Sequence, residues 1–98
     1  MTLRISDFEW VPHLVEKNRG KHGVEPEDVE SALLNADPAP YWRRVQRDKY
    51  RAWAQVQNGG EYLFIVFSMP KPGVVRTISA RPMDNRERTE FRRHRTRK

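Results

Sequence analysis

The sequence predicts one α+β domain of order β-α-α-β-β-β-β-α, an antiparallel meander packed against helices. Three observations carry that expectation. The chain has 98 residues, the size of a single domain with one modest core. Its apolar residues recur at helical spacing before Asp37-Pro38-Ala39-Pro40 and alternate after it. Tight-turn signals then divide the second half into consecutive strands, which pair as a meander and leave the helices segregated to one face. No internal repeat, linker or second domain interrupts residues 1–98.

Leu3, Ile5, Phe8 and Trp10 alternate loosely and predict a first strand over Leu3–Trp10. Pro12 suits a first helical position, where its missing N–H would be unpaired in any case. A polar helix runs to Lys21 with Leu14 and Val15 inward, weakened at Gly20 and stopped at Gly23. Glu25-Pro26-Glu27-Asp28 opens a second helix, its carboxylates complementing the N-terminal dipole. Val29, Ala32 and Leu33 fall at i, i+3 and i+4 and give it one apolar stripe; it stops near Asn35, before the prolines.

The strands follow. Tyr41–Arg47 mixes aromatics with arginines. Tyr50–Gln57 alternates, with Tyr50, Ala52, Ala54 and Val56 on one face and Arg51, Trp53, Gln55 and Gln57 on the other. Asn58-Gly59-Gly60 forms a hairpin turn because these residues accept positive φ. Glu61–Ser68 is the most apolar segment and reads as a central strand buried on both faces. Pro70-Lys71-Pro72-Gly73 is a second turn. In the next strand, Val74–Arg81, Ile78 and Ala80 share one face and Val75, Thr77, Ser79 and Arg81 the other. Asp84 and Glu87 have the spacing of a capping box. A helix over Asn85–His94 follows, with Phe91 as its only large apolar residue, and the basic tail Arg92–Lys98 frays.

Charge narrows the function classes. Nineteen Lys and Arg stand against 13 Asp and Glu, a net charge of +6, with arginine densest at the C-terminal end. A pI near 10.2 with clustered arginine is the footprint of a nucleic-acid binder, and RNA is the partner expected. The absence of cysteine excludes disulfides, thiolate chemistry and the common zinc modules, and fits a reducing, cytoplasmic compartment. Three scattered histidines make no metal site, and no cofactor is expected. The start has no signal-peptide core, and no apolar run approaches the ~20 residues needed to span a membrane.

Two groups of residues resemble a known family. Phe8-Glu9-Trp10, His13, Lys21-His22-Gly23-Val24, Glu27 and Val29 resemble the N-terminal half of BrnT-type toxins. Val75-Arg76-Thr77-Ile78-Ser79-Ala80-Arg81-Pro82, with Glu87-Arg88 and Phe91, resembles their C-terminal signature. The resemblance implies a RelE-like fold, a curved antiparallel sheet flanked by helices. It also implies metal-independent RNA cleavage that blocks translation. The implied partner is a cognate antitoxin, usually a ribbon-helix-helix DNA-binding protein encoded beside the toxin. Val11 and Leu14 depart from the acidic residue and the lysine common at those positions, and Asp37–Asp48 follows no recognised motif.

RNA cleavage through the 2′-OH requires a base, cations for the phosphate charge and an acid for the leaving oxygen. Lys21, His22, Arg81, Glu87 and Arg88 supply such groups and are the expected catalytic set. Each has a structural alternative. His22 can cap a helix end, Lys21 and Arg88 can be solvated surface, Arg81 can pair with Glu87, and Glu87 can serve only as a cap. Arg43, Arg44, Arg47, Lys49, Arg51, Trp53 and Arg92 are expected to bind nucleic acid, since aromatics among arginines stack bases and hold phosphates. Their alternative is a core tryptophan under snorkelling arginines. His13 and His94 read as surface or packing residues. The competing function is a non-catalytic basic module of toxin-like fold that binds nucleic acid or a protein partner.

Overall fold

The structure, a computed structural model, describes residues 4–96, which form five strands and three helices. The order is β1 (Asp7–Glu9), α1 (Pro12–His22), α2 (Pro26–Leu33), β2 (Tyr41–Arg44), β3 (Lys49–Gln55), β4 (Tyr62–Lys71), β5 (Val74–Pro82) and α3 (Asn85–Thr96). This is the predicted order. The strands lie in one open sheet, β1-β5-β4-β3-β2. β2 to β5 form the antiparallel meander, and β1 joins the far edge in parallel with β5. Leu3, where the first strand was expected to begin, and Arg97 and Lys98 of the tail lie outside the described residues.

The local chemistry of the ends follows the sequence closely. Pro12 opens α1, and Gly23 closes it at φ 66°, its amide bonding to the carbonyl of Arg19. α2 begins with a full capping box, Glu25 receiving the Asp28 amide while Asp28 receives that of Glu25. Asn58 and Gly59 both take positive φ in the β3–β4 turn. β4 runs past its expected end at Ser68 to Lys71, because an irregularity between Ser68 and Lys71 lets it carry Pro70. α3 is helical to Thr96, two residues beyond its expected end and into the tail expected to fray.

The core lies on one sheet face. Ala52, Ala54, Leu63, Ile65, Phe67, Val75 and Ala80 meet Val24 and α2's stripe of Val29, Ala32 and Leu33. α1 also packs on β5, but its buried residue is Asn18; Leu14 and Val15 are only half-buried, where burial was expected. Two further expectations change. The central strand is fully buried on one face only: Leu63, Ile65 and Phe67 are enclosed, whereas Tyr62, Phe64 and Val66 are half-buried. The helices also divide between faces. α3 crosses the face away from the core, because Phe91 finds its apolar partner there, the ring of Tyr62 at 6.0 Å.

Candidate nucleic-acid interface

The face crossed by α3 is organised in rows, one residue per strand. Tyr41 of β2 is paired with Trp53 of β3, Trp53 with Phe64 of β4, and Phe64 with Arg81 of β5. Ring centroids stand 5.4 Å apart for Tyr41–Trp53 and 5.3 Å for Trp53–Phe64, within the range of favourable aromatic contact. The Arg81 guanidinium lies 4.6 Å above the Phe64 ring and ends the row. Beside it runs a second row, Arg43, Arg51, Val66 and Ser79.

A bulge in β5 puts Arg81 there. Simple alternation groups Thr77 with Ser79 and Arg81, as the sequence suggested. In the structure Phe67 pairs with Thr77 and its neighbour Val66 with Ser79, so Ile78 is an extra residue. Thr77 therefore turns into the core, only 2% exposed, while Ser79 and Arg81 turn to the opposite face. α1 satisfies the backbone at this point. Lys17 donates to the Ile78 carbonyl, and Asn18 Oδ1 accepts from the Ala80 amide at 3.3 Å.

The start of α3 meets Arg81. Two parallel hydrogen bonds of 2.8 and 2.9 Å join the Arg81 guanidinium to the Glu87 carboxylate. The hydrogen bond with Glu87 raises the Arg81 pKa above its ordinary value, against a desolvation that lowers it. Glu87 also accepts from the Asp84 amide, while Asp84 accepts from that of Glu87, so the expected capping box is present in full. Arg88 bonds to Asn85 within the same turn. Further along α3, the His94 ring packs on Tyr41 with centroids 3.8 Å apart. Between α3 and β2–β3 lies a cleft of about 450 Å³, lined by Tyr41, Arg43, Trp53, Arg86, Glu87 and His94 among others. Trp53 and Arg43 also line a hollow of about 280 Å³ with Arg51 on the other side.

The expected catalytic residues thus fall into two groups. Arg81, Glu87 and Arg88 gather where β5 meets α3. Lys21 and His22 end α1, the helix packed on the core side of β5, and their side chains have no hydrogen-bond or ion-pair partner among the described residues. Of the expected nucleic-acid residues, Trp53, Arg43 and Arg51 share the α3 face. Arg44 points to the other side of β2, and its guanidinium holds the β2–β3 turn through the carbonyls of Gln46 and Arg47. Arg47 is exposed in that turn, Lys49 is half-buried beside it, and Arg92 lies over the Tyr62 ring at 5.4 Å. Tyr41, Phe64 and Arg86 also border this face and were not among the expected site residues, while His94, expected at the surface or in packing, packs on Tyr41. Counting back from the β2–β3 turn would have paired Tyr41 with Trp53. The place of α3 had no comparable signal.

A larger hollow of about 850 Å³ lies elsewhere, walled mainly by apolar side chains such as Ile5, Leu33, Leu34 and Trp42. Its size does not make it the functional site, since none of the expected catalytic residues lines it. Among the described residues, no helix is long and apolar enough to cross a membrane, and no three His, Asp or Glu side chains gather as metal ligands.

No family model and no curated protein sequence matches this chain. A solved structure does: the 1.1 Å crystal structure of the Brucella abortus ribonuclease toxin BrnT, with a TM-score of 0.64. The two chains share one fold. The match covers 81% of this chain and 97% of BrnT at 20% identity, so the Brucella protein superposes nearly whole. The fold implied by the short motifs that resemble BrnT-type toxins, and the element order expected from periodicity and turns, are therefore the observed ones, with the helices divided between the two faces.

Proposed function

We propose that this chain is a metal-independent endoribonuclease toxin that blocks translation and is neutralised by a cognate antitoxin. The observation that carries this reading is the partly exposed arginine–carboxylate cluster Arg81–Glu87 on a fold shared with a ribonuclease toxin. Glu87 takes the proton of a ribose 2′-OH, and the 2′ oxygen attacks phosphorus. Arg81 and Arg88 take up the charge that grows on the phosphate oxygens. The P–O5′ bond breaks, leaving a 2′,3′-cyclic phosphate and a protonated 5′-OH. The proton for the leaving oxygen returns from Glu87 or from solvent; Lys21 and His22, at the end of α1 on the core side of β5, stand apart from this cluster. The partner is a small antitoxin, in this reading a ribbon-helix-helix DNA-binding protein whose acidic surface covers the arginines.

The test is cleavage of unstructured RNA by the purified chain in the presence of a chelator. Products with cyclic-phosphate ends are expected, and Arg81→Ala is expected to slow cleavage by about 10²-fold, the cost of losing a donor to a developing oxyanion. Intact RNA, under conditions where another toxin of this fold cuts it, would remove the catalytic reading. One observation favours the non-catalytic module instead: in the free chain Arg81 and Glu87 satisfy each other, with side chains 35% and 20% exposed. Binding of RNA without cleavage, weakened by salt, is the outcome that module predicts.

A further inference from the structure

We infer that the free edge of β2 is a docking site for an extended, acidic segment of a partner protein, which adds to the sheet as a further strand. The inference concerns a protein partner and stands whether or not the chain cleaves RNA. Its first warrant is the edge itself. β2 ends the sheet, with β3 on its inner side. Ladder bonds of an antiparallel pair alternate along each strand. The Val45 amide donates to the Lys49 carbonyl, and in that register Tyr41 and Arg43 also bond toward β3. The amides and carbonyls of Trp42 and Arg44 therefore point outward, where an added strand pairs with them.

The second warrant is what flanks the edge. The large apolar side chains left exposed among the described residues are Leu34, 52% exposed, and Val45, 42%. Val45 directly follows β2, and Leu34 lines the hollow of about 850 Å³ together with Trp42 and Pro40. Apolar side chains of an added strand enter that hollow from the core side. The third warrant is charge. Residues 41–51 hold five cations, Arg43, Arg44, Arg47, Lys49 and Arg51, against one acid, Asp48. Arg43 and Arg51 are cross-strand neighbours on the α3 face, without a hydrogen-bond or ion-pair partner among the described residues. Like charges so placed destabilise a sheet, and a carboxylate brought beside them stabilises it. A second copy of this chain would bring its own Arg43 and Arg44 to the same edge and be repelled. The occupant that fits has apolar residues on the core side and Asp or Glu on the α3 face.

The experiment titrates the full chain with an end-blocked peptide of alternating valine and glutamate, about eight residues long, the length of an ordinary strand. Binding is expected to slow hydrogen exchange at the Trp42 and Arg44 amides, while those of Tyr41 and Arg43, already bonded to β3, change little. Two analogues carry backbone N-methyl groups, one on every valine and the other on every glutamate. Only one alternate set of amides faces β2, so one analogue is expected to bind about 10-fold more weakly and the other like the parent peptide. Arg43→Glu is expected to weaken binding about 5-fold, and Lys21→Glu, the same change of charge on α1, to alter it far less. Equal binding by the parent and both analogues would mean attraction by charge alone, which a nucleic acid satisfies as well, and overturns the edge. Absence of binding, or binding that leaves exchange at Trp42 and Arg44 unchanged, overturns it too. Slow exchange at both amides in the chain alone, at twice the mass of one chain, would give the edge to a second copy instead. None of these outcomes bears on RNA cleavage, which is measured separately.

Discussion

The side-chain carbonyl of Asn18 accepts from the Ala80 amide beside the bulge in β5, and the residue is 4% exposed. A bulge leaves backbone groups without their ladder partners, and a buried amide left unpaired costs about 1–3 kcal/mol. Asn18→Ala is therefore expected to lower unfolding free energy by about 1–3 kcal/mol in urea titration. An Asn18→Ala protein as stable as wild type would show that the bulge needs no support from α1. The consequence reaches the site, because the bulge turns Arg81 toward Phe64 and Glu87 while Thr77 enters the core. Arg81 itself was singled out in the sequence as a candidate. Its surroundings were not, since alternation has no symbol for an extra residue at Ile78.

Elements were read more securely where their ends carry chemistry. Pro12, Gly23, Pro26, Asn58-Gly59 and Asp84/Glu87 each have a backbone reason to stand where they do, and the structure uses every one. Faces were read less securely. The apolar run of β4 has the composition of a strand buried on both sides, but only α3 crosses its second face, touching it through Phe91. α3 is also tied to the sheet by Glu87 on Arg81, Arg92 over Tyr62 and His94 on Tyr41, and its first turn depends on its cap. Asp84→Ala removes the acceptor for the Glu87 amide and is expected to cost about 1 kcal/mol. Because Glu87 would keep its bonds to Arg81, the loss should appear as faster amide exchange confined to the first turns of α3. Uniform loss of protection across the sheet would mean instead that α3 is needed for the whole domain.

At the scale of the whole molecule, charge and fold play separate parts. In the proposed reading the net charge of +6 draws RNA to the surface, but only cations that meet phosphate in the complex set the salt dependence. Arg43, Arg51, Arg81 and Arg86 face or border the α3 side of the sheet, and the sequence finishes with three further cations, Arg95, Arg97 and Lys98. Each phosphate neutralised on a single strand contributes about −0.7 to the slope of log K against log salt. Ending the chain after His94 removes those three cations, so the slope should become shallower by up to about 2 if all three touch phosphate. Affinity for unpaired and paired RNA should then fall by the same factor, because a charged tail attracts both and stacks neither. If affinity for one form fell much further than for the other, the tail would do more than attract phosphate, and its reading as a purely electrostatic end would be wrong.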